Sequence, residues 1–86
     1  MQTEASQIIV KRFYEAIQTL KAQKVIRGKQ TFTNRYGINR WNFNTCEKEP
    51  NRQIFQPAWL AYLVTDYNVS PLWLLTGQGE FYQPTK

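Results

Sequence analysis

Hydrophobic residues in the first third of the chain recur with the spacing of one helix face. They fall at positions i, i+4, i+7, i+8 and i+11, and they are Ile9, Phe13, Ala16, Ile17 and Leu20. The pattern predicts a first helix that begins near Ser6, its expected N-cap, and ends before the turn residue Gly28. Val25 and Ile26 are expected to pack against the core at the exit of this helix.

Two short helices follow, and a glycine separates them. Phe32 and Tyr36, an i, i+4 pair, give the first of these helices, residues 29–36, one apolar face. Gly37 ends it, because glycine accommodates the positive φ that is common just past a helix C-terminus. Asn39 is a suitable N-cap for the helix after the turn.

The last third of the chain predicts two further helices and a tail. Pro57 suits the first position of the fourth helix, and Asn68 can end that helix in the left-handed conformation. Ser70 is a suitable cap for a short fifth helix. The predicted fold is all-α, a single domain of residues 1–86 with helices near residues 6–25, 29–36, 40–48, 57–67 and 71–76, and a tail over residues 78–86.

Composition excludes several classes of chemistry. The chain of 86 residues has no histidine and one cysteine, which excludes histidine catalysis, an internal disulfide and a Cys-rich zinc site. The six acidic residues show no spacing typical of an acid/base or metal site, so we expect no enzyme, no cofactor and no metal. No apolar run approaches the roughly 18 residues of a membrane span. With a lone thiol and no signal peptide, we expect a cytoplasmic protein.

Positive charge is concentrated in the middle of the chain. The net charge is +5, and residues 21–52 carry eight basic residues against two acidic ones. Residues 1–20 are neutral overall, and residues 53–86 carry a charge of −1. A localised basic segment is typical of a protein that binds a polyanion, and a solvated basic face is the alternative.

The second and third predicted helices match the plan of a helix-turn-helix over residues 29–48. Gly37 permits the tight turn, and Ile38 lies between the two helices. Phe43 and Cys46 are expected to fix the second helix of the motif to the core, which leaves its opposite face free for a DNA major groove. The candidate base contacts on that face are Arg40, Trp41, Asn44, Thr45 and Lys48.

Phosphate contacts are expected at two places beside this motif. The first is the start of the second helix, where free N–H groups and the helix dipole favour an anion, and the second is the loop after the third helix. The candidate residues are Lys29, Gln30, Thr31, Asn51 and Arg52. The basic residues before the motif, Lys21, Lys24 and Arg27, are expected to contribute only a general field. For Trp41, a groove contact and packing at Ile38 or at a partner interface both stay open.

The segment from Asn68 to Glu80 reads Asn-Val-Ser-Pro-Leu-Trp-Leu-Leu-Thr-Gly-Gln-Gly-Glu. Many phage-repressor-type domains end in a similar sequence. With this segment, five helices and a helix-turn-helix at the second and third, the chain resembles the lambda-repressor-like DNA-binding domain of the Cro and XRE class, including phage repressors. The resemblance covers residues 7–82. The chain departs from the family pattern at Thr33, where a small alanine is usual, and at Trp41, where a small or polar residue is usual.

The resemblance implies a small transcriptional regulator of bacterial, phage or mobile-element type that binds specific sequences of double-stranded DNA. Because a single module of this size buries little DNA surface, a homodimer on a pseudo-palindromic site is expected. One alternative is a protein–protein interaction module on a repressor-like fold that has lost DNA binding, which an exposed Trp41 favours. A second alternative is RNA binding, which the core-like positions of most aromatic residues support little.

Overall fold

All five predicted helices are present in the computed structural model, which describes residues 4–50 and 54–83. Within these ranges the only extended pairing is an isolated antiparallel bridge between Val69 and Tyr82, so the all-α prediction is confirmed. None of the described helices combines the length and the apolar content that crossing a membrane requires. The helices are α1 (Glu4–Ala22), α2 (Lys29–Tyr36), α3 (Arg40–Lys48), α4 (Pro57–Tyr67) and α5 (Pro71–Thr76).

The predicted caps set the ends of the short helices. Gly37 ends α2 with a left-handed φ of 64°. The Asn39 side chain accepts a hydrogen bond of 3.0 Å from the Asn42 N–H at the start of α3. The Ser70 hydroxyl accepts a hydrogen bond of 3.3 Å from the Trp73 N–H at the start of α5. Each cap satisfies a backbone group that the helix itself leaves unpaired, which explains why these helices have the predicted bounds.

The C-terminus of α1 comes earlier than predicted because a lysine takes a conformation usual for glycine. Lys24 has a φ of 62°, and its N–H donates to the Lys21 carbonyl over 3.0 Å. The Val25 N–H donates to the Leu20 carbonyl over 2.9 Å, which completes a Schellman motif. Val25 is exposed, contrary to the prediction, whereas Ile26 is buried as predicted.

The N-terminal part of α1 also differs from the prediction. Ser6 lies inside the helix and not at its N-cap, because the helix already includes Glu4, whose carboxylate is favourable near the positive end of the helix dipole. The buried face is wider than the predicted stripe. Val10 and Tyr14 are buried together with the four predicted residues from Phe13 to Leu20, and Ile9 is half-buried.

The chain divides between Phe55 and Gln56 into two compact units. The first unit contains α1, α2 and α3, and an aromatic cluster fills its interior. The Phe13 ring of α1 lies 5.8 Å from the Phe32 ring of α2 and 5.9 Å from the Phe43 ring of α3, centroid to centroid. Both pairs are edge-on, the arrangement that aromatic quadrupoles favour. One side chain of α1 therefore contacts both helices that the sequence assigns to DNA binding.

The second unit contains α4 and α5, and the segment after α5 folds back beside the connection between them. The Ser70 N–H donates to the Phe81 carbonyl over 2.8 Å, and the Gln83 N–H donates to the Asn68 carbonyl over 2.9 Å. The Phe81 ring packs edge-on against Trp73 with centroids 4.8 Å apart. The described part of the predicted tail is thus hydrogen-bonded to the rest of this unit. A single domain of residues 1–86 stays a prediction.

Replacing Lys24 with glycine tests the account of the α1 terminus. Lys24→Gly is expected to raise the free energy of unfolding by about 0.5–1 kcal/mol, because relief of the left-handed strain outweighs the added freedom of the unfolded chain. The matched control is Lys11→Gly in the middle of α1, which is expected to lower it by about 1 kcal/mol. Urea denaturation measures both. A loss of stability in Lys24→Gly would show that Lys24 is not left-handed in the folded protein.

Candidate nucleic-acid interface

A cleft of about 490 Å³ lies in the first unit, where α2 and α3 meet the connection from α1. No acidic residue is among the described residues that line this cleft. The lining brings together two of the predicted base contacts with all three predicted phosphate contacts at the start of α2. These five residues are Arg40, Asn44, Lys29, Gln30 and Thr31.

The α3 side of the cleft presents Arg40 and Asn44, which are exposed and lie one helical turn apart. Both flank the buried face of α3, where Phe43 and Cys46 are fully buried, and Phe43 lines the same cleft. Within the described part of the chain, no hydrogen bond or ion pair engages either the Arg40 or the Asn44 side chain. Both side chains are therefore available to a partner.

The α2 side of the cleft presents Gln30, Thr31 and Asn34. Gly28 is the N-cap of α2 and offers no side chain to its first N–H groups, although its carbonyl accepts a hydrogen bond of 3.1 Å from the Thr31 N–H. Asn34 lies one turn after Gln30, and the sequence did not predict it as a contact residue. Its i, i+4 relation to Gln30 on the exposed side of α2 is the signal that could have found it.

Two basic residues from before α2 also line the cleft. The sequence assigned Lys21 and Arg27 only a general electrostatic role, but the bend that follows α1 places both residues beside α2 and α3. With Lys29 and Arg40 they make four basic residues in one cleft. Low-dielectric walls around charges of one sign focus the field on an incoming anion.

The remaining predicted contacts lie away from this cleft. Trp41 and Lys48 are exposed and Thr45 is half-buried, and none of the three lines the cleft. Thr45 was expected to face outward and does so only in part. Trp41 has 62% of its surface exposed. Asn51 and Arg52 lie outside the described residues.

A buried hydrogen bond ties α3 to α1 behind the cleft. The Tyr14 hydroxyl donates to the Phe43 carbonyl over 2.6 Å, and the two rings lie edge-on with centroids 5.1 Å apart. Burial raises the pKa of Tyr14 far above the usual range of a phenol, and the nearby Cys46 thiol adds to the shift. Burial also raises the pKa of the Cys46 thiol, against the opposing effect of its hydrogen bond with Tyr14. Both groups stay protonated in the folded protein at neutral pH.

Lys29 differs from the other basic residues of the cleft because it is already paired. Its ammonium group donates to the carboxylate of Glu47 in α3. No comparable pair engages Lys21, Arg27 or Arg40 within the described residues. The cleft as a whole offers cations and amide groups, which together recognise phosphates and base edges.

Comparison of the chain with protein families, with curated proteins and with solved structures found no match.

Alkaline pH tests the burial of Tyr14 and Cys46. The free energy of unfolding is expected to fall as the pH rises above about 8.5, the ordinary pKa of a thiol, and to fall faster above about 10, that of a phenol. The reason is that the unfolded chain releases both protons while the folded protein retains them.

In Tyr14→Phe the decline above pH 10 is expected to be shallower by up to about 1.4 kcal/mol per pH unit. At neutral pH the same variant is expected to lose about 1–2 kcal/mol, because the buried hydrogen bond to Phe43 is gone. Urea denaturation at a series of pH values measures both effects. Identical pH slopes in the parent and in Tyr14→Phe would contradict the burial of the phenol.

Proposed function

We propose that this protein is a sequence-specific double-stranded DNA-binding protein, a small cytoplasmic regulator of transcription. It would belong to the lambda-repressor-like class of bacterial, phage or mobile-element type. In this proposal α2 and α3 are the two helices of a helix-turn-helix, and α3 lies in the major groove. The supporting observation is the acid-free cleft between them, in which Arg40 and Asn44 face outward with no partner among the described residues.

Arg40 and Asn44 supply the chemistry of base recognition in this proposal. A guanidinium group can donate two hydrogen bonds to O6 and N7 of guanine, and an amide can pair with N6 and N7 of adenine. Four residues separate the two side chains, a rise of about 6 Å along α3, which is close to two base-pair steps of about 3.4 Å. The two residues would therefore read different base pairs of the binding site.

The start of α2 supplies contacts to the DNA backbone. Gln30 and Thr31 are exposed beside the first N–H groups of the helix, whose dipole favours an anion. Such contacts fix the position of the protein on the duplex and carry no sequence information. Occupancy of the site is then sufficient for regulation, and no bond is made or broken.

A homodimer is the proposed form on DNA. One module of this size covers about 600–1,000 Å² of protein surface on DNA, which limits the affinity of a single copy. Two copies related by a two-fold axis would read half-sites separated by about one helical turn. A footprint with two protected half-sites is the expected sign of this arrangement.

Selection of duplexes from a random pool tests the proposal most directly. A single preferred sequence is expected to emerge, and Arg40→Ala or Asn44→Ala is expected to weaken binding to it by about 1–3 kcal/mol and to relax preference at one base pair. Competition binding measures both quantities.

The matched controls are Lys11→Ala and Gln18→Ala, which remove an exposed cation and an exposed amide from α1. Both are expected to bind the selected site within about twofold of the parent, apart from the small general effect of charge. If Arg40→Ala and Asn44→Ala also bind like the parent, α3 is not the recognition helix.

Salt dependence provides a second test. With about four to six phosphates neutralised, the logarithm of the binding constant is expected to fall against the logarithm of salt concentration with a slope of roughly −4 to −5. Fluorescence anisotropy with the selected duplex between low and moderate salt measures the slope. A slope near zero would show that phosphates are not contacted.

Trp41 favours a second candidate function, a protein–protein interaction module on the same fold. An indole ring with most of its surface in solvent is an uncommon feature, and aromatic residues of this kind are enriched at protein interfaces. This function would be supported if no duplex is enriched from the random pool while Trp41→Ala weakens binding to a protein partner.

A further inference from the structure

We infer that Lys29 is a positioning residue, which holds the C-terminal turn of α3 against the start of α2 through its ion pair with Glu47. Arg27 then supplies the phosphate-binding charge at this end of the cleft. The inference rests on the proposed function and assigns separate roles to two cations of the same site.

The ion pair joins two points that are far apart along the chain. Lys29 is the first residue of α2 and Glu47 lies in the last turn of α3, eighteen residues later. The Lys29 side chain is 36% exposed and the Glu47 side chain 29% exposed. Partial burial of both groups lowers the effective dielectric between them, so salt screens this pair less than a fully exposed one.

Three contacts at successive points hold α3 in place. Before its N-terminus, the Ile38 N–H donates to the Thr33 carbonyl over 2.9 Å. In its middle, the Phe43 carbonyl accepts the Tyr14 hydrogen bond. At its C-terminal turn, Glu47 forms the ion pair with Lys29 of α2. Loss of this ion pair leaves the buried Cys46 to hold the last turn of α3 against α1 and removes the tie to α2. A small rotation of a recognition helix displaces every side chain that it presents.

The same ion pair makes Lys29 a poor phosphate ligand. A phosphate that approaches the Lys29 ammonium also approaches the Glu47 carboxylate, and the repulsion from the second offsets the attraction to the first. Arg27 has no such neighbour: it is exposed, it lines the cleft, and no ion pair within the described residues engages it. Because Arg27 directly precedes the N-cap of α2, its charge adds to that of the helix dipole.

Substitutions at the two ends of the ion pair distinguish positioning from phosphate contact. If Lys29 contacted a phosphate, Glu47→Gln would release its charge and strengthen binding to the selected duplex. In a positioning role, Glu47→Gln and Lys29→Gln both weaken binding, by about two- to fivefold, with the salt slope close to that of the parent.

The charge-swapped double variant Lys29→Glu/Glu47→Lys is the decisive one. It restores binding to within about twofold in a positioning role, because the pair is remade with its sign reversed.

Arg27→Gln is the matched comparison for phosphate contact. It is expected to weaken binding to all duplexes nearly equally and to reduce the salt slope by about one unit. Lys11→Gln, which removes an exposed charge of α1 outside the cleft, serves as the control for general electrostatics. Circular dichroism and urea denaturation of each variant show that the fold is kept.

The outcomes separate this inference from the proposed function. If the parent binds a selected duplex, the inference is overturned by stronger binding of Glu47→Gln or by loss of binding in the charge-swapped variant. It is also overturned if Arg27→Gln leaves the salt slope unchanged. If the parent binds no duplex at all, the proposed function fails, and the DNA-related roles of Lys29 and Arg27 fail with it.

Discussion

The hydrogen bond from the Tyr14 hydroxyl to the Phe43 carbonyl is the central one of the three contacts that hold α3 in place. It lies within the aromatic cluster around Phe13, where it ties the middle of α3 directly to α1. An unsatisfied buried hydroxyl costs more free energy than the hydrogen bond itself contributes, so the arrangement penalises any other register of α3 on α1. The outward face of α3 is fixed as a result.

Polar and apolar side chains divide α3 into two faces with different tasks. Phe43 and Cys46 are fully buried, whereas the exposed Arg40 and Asn44 line the cleft beside Phe43 and the side chains of α2. The cleft contains no described acidic residue, although Glu47 lies on the same short helix. The Glu47 carboxylate is held by Lys29, and no ion pair within the described residues engages the other cations of the cleft.

The sequence predicted what depends on local chemistry. Gly37, Asn39 and Ser70 specify their helix ends through their own backbone freedom or side-chain oxygens, and these ends lie where they were predicted. Lys24 was missed because residue type does not indicate a left-handed lysine. In the site, the exposed positions of Arg40 and Asn44 on α3 were predicted from helical periodicity. The place of Arg27 in the cleft depends on how the chain bends between α1 and α2. The pairing of Lys29 with Glu47 depends on how α2 and α3 meet. No local pattern encodes either arrangement.

Titration of the isotope-labelled protein with its selected duplex, followed by nuclear magnetic resonance, tests the central claim that this cleft receives DNA. The largest chemical-shift changes are predicted at the side-chain amides of Gln30, Asn34 and Asn44 and at the backbone of Arg27. These groups lie on three different segments of the chain and share only the cleft. A bound duplex that leaves all four unperturbed, and shifts resonances elsewhere in the chain, would contradict the account.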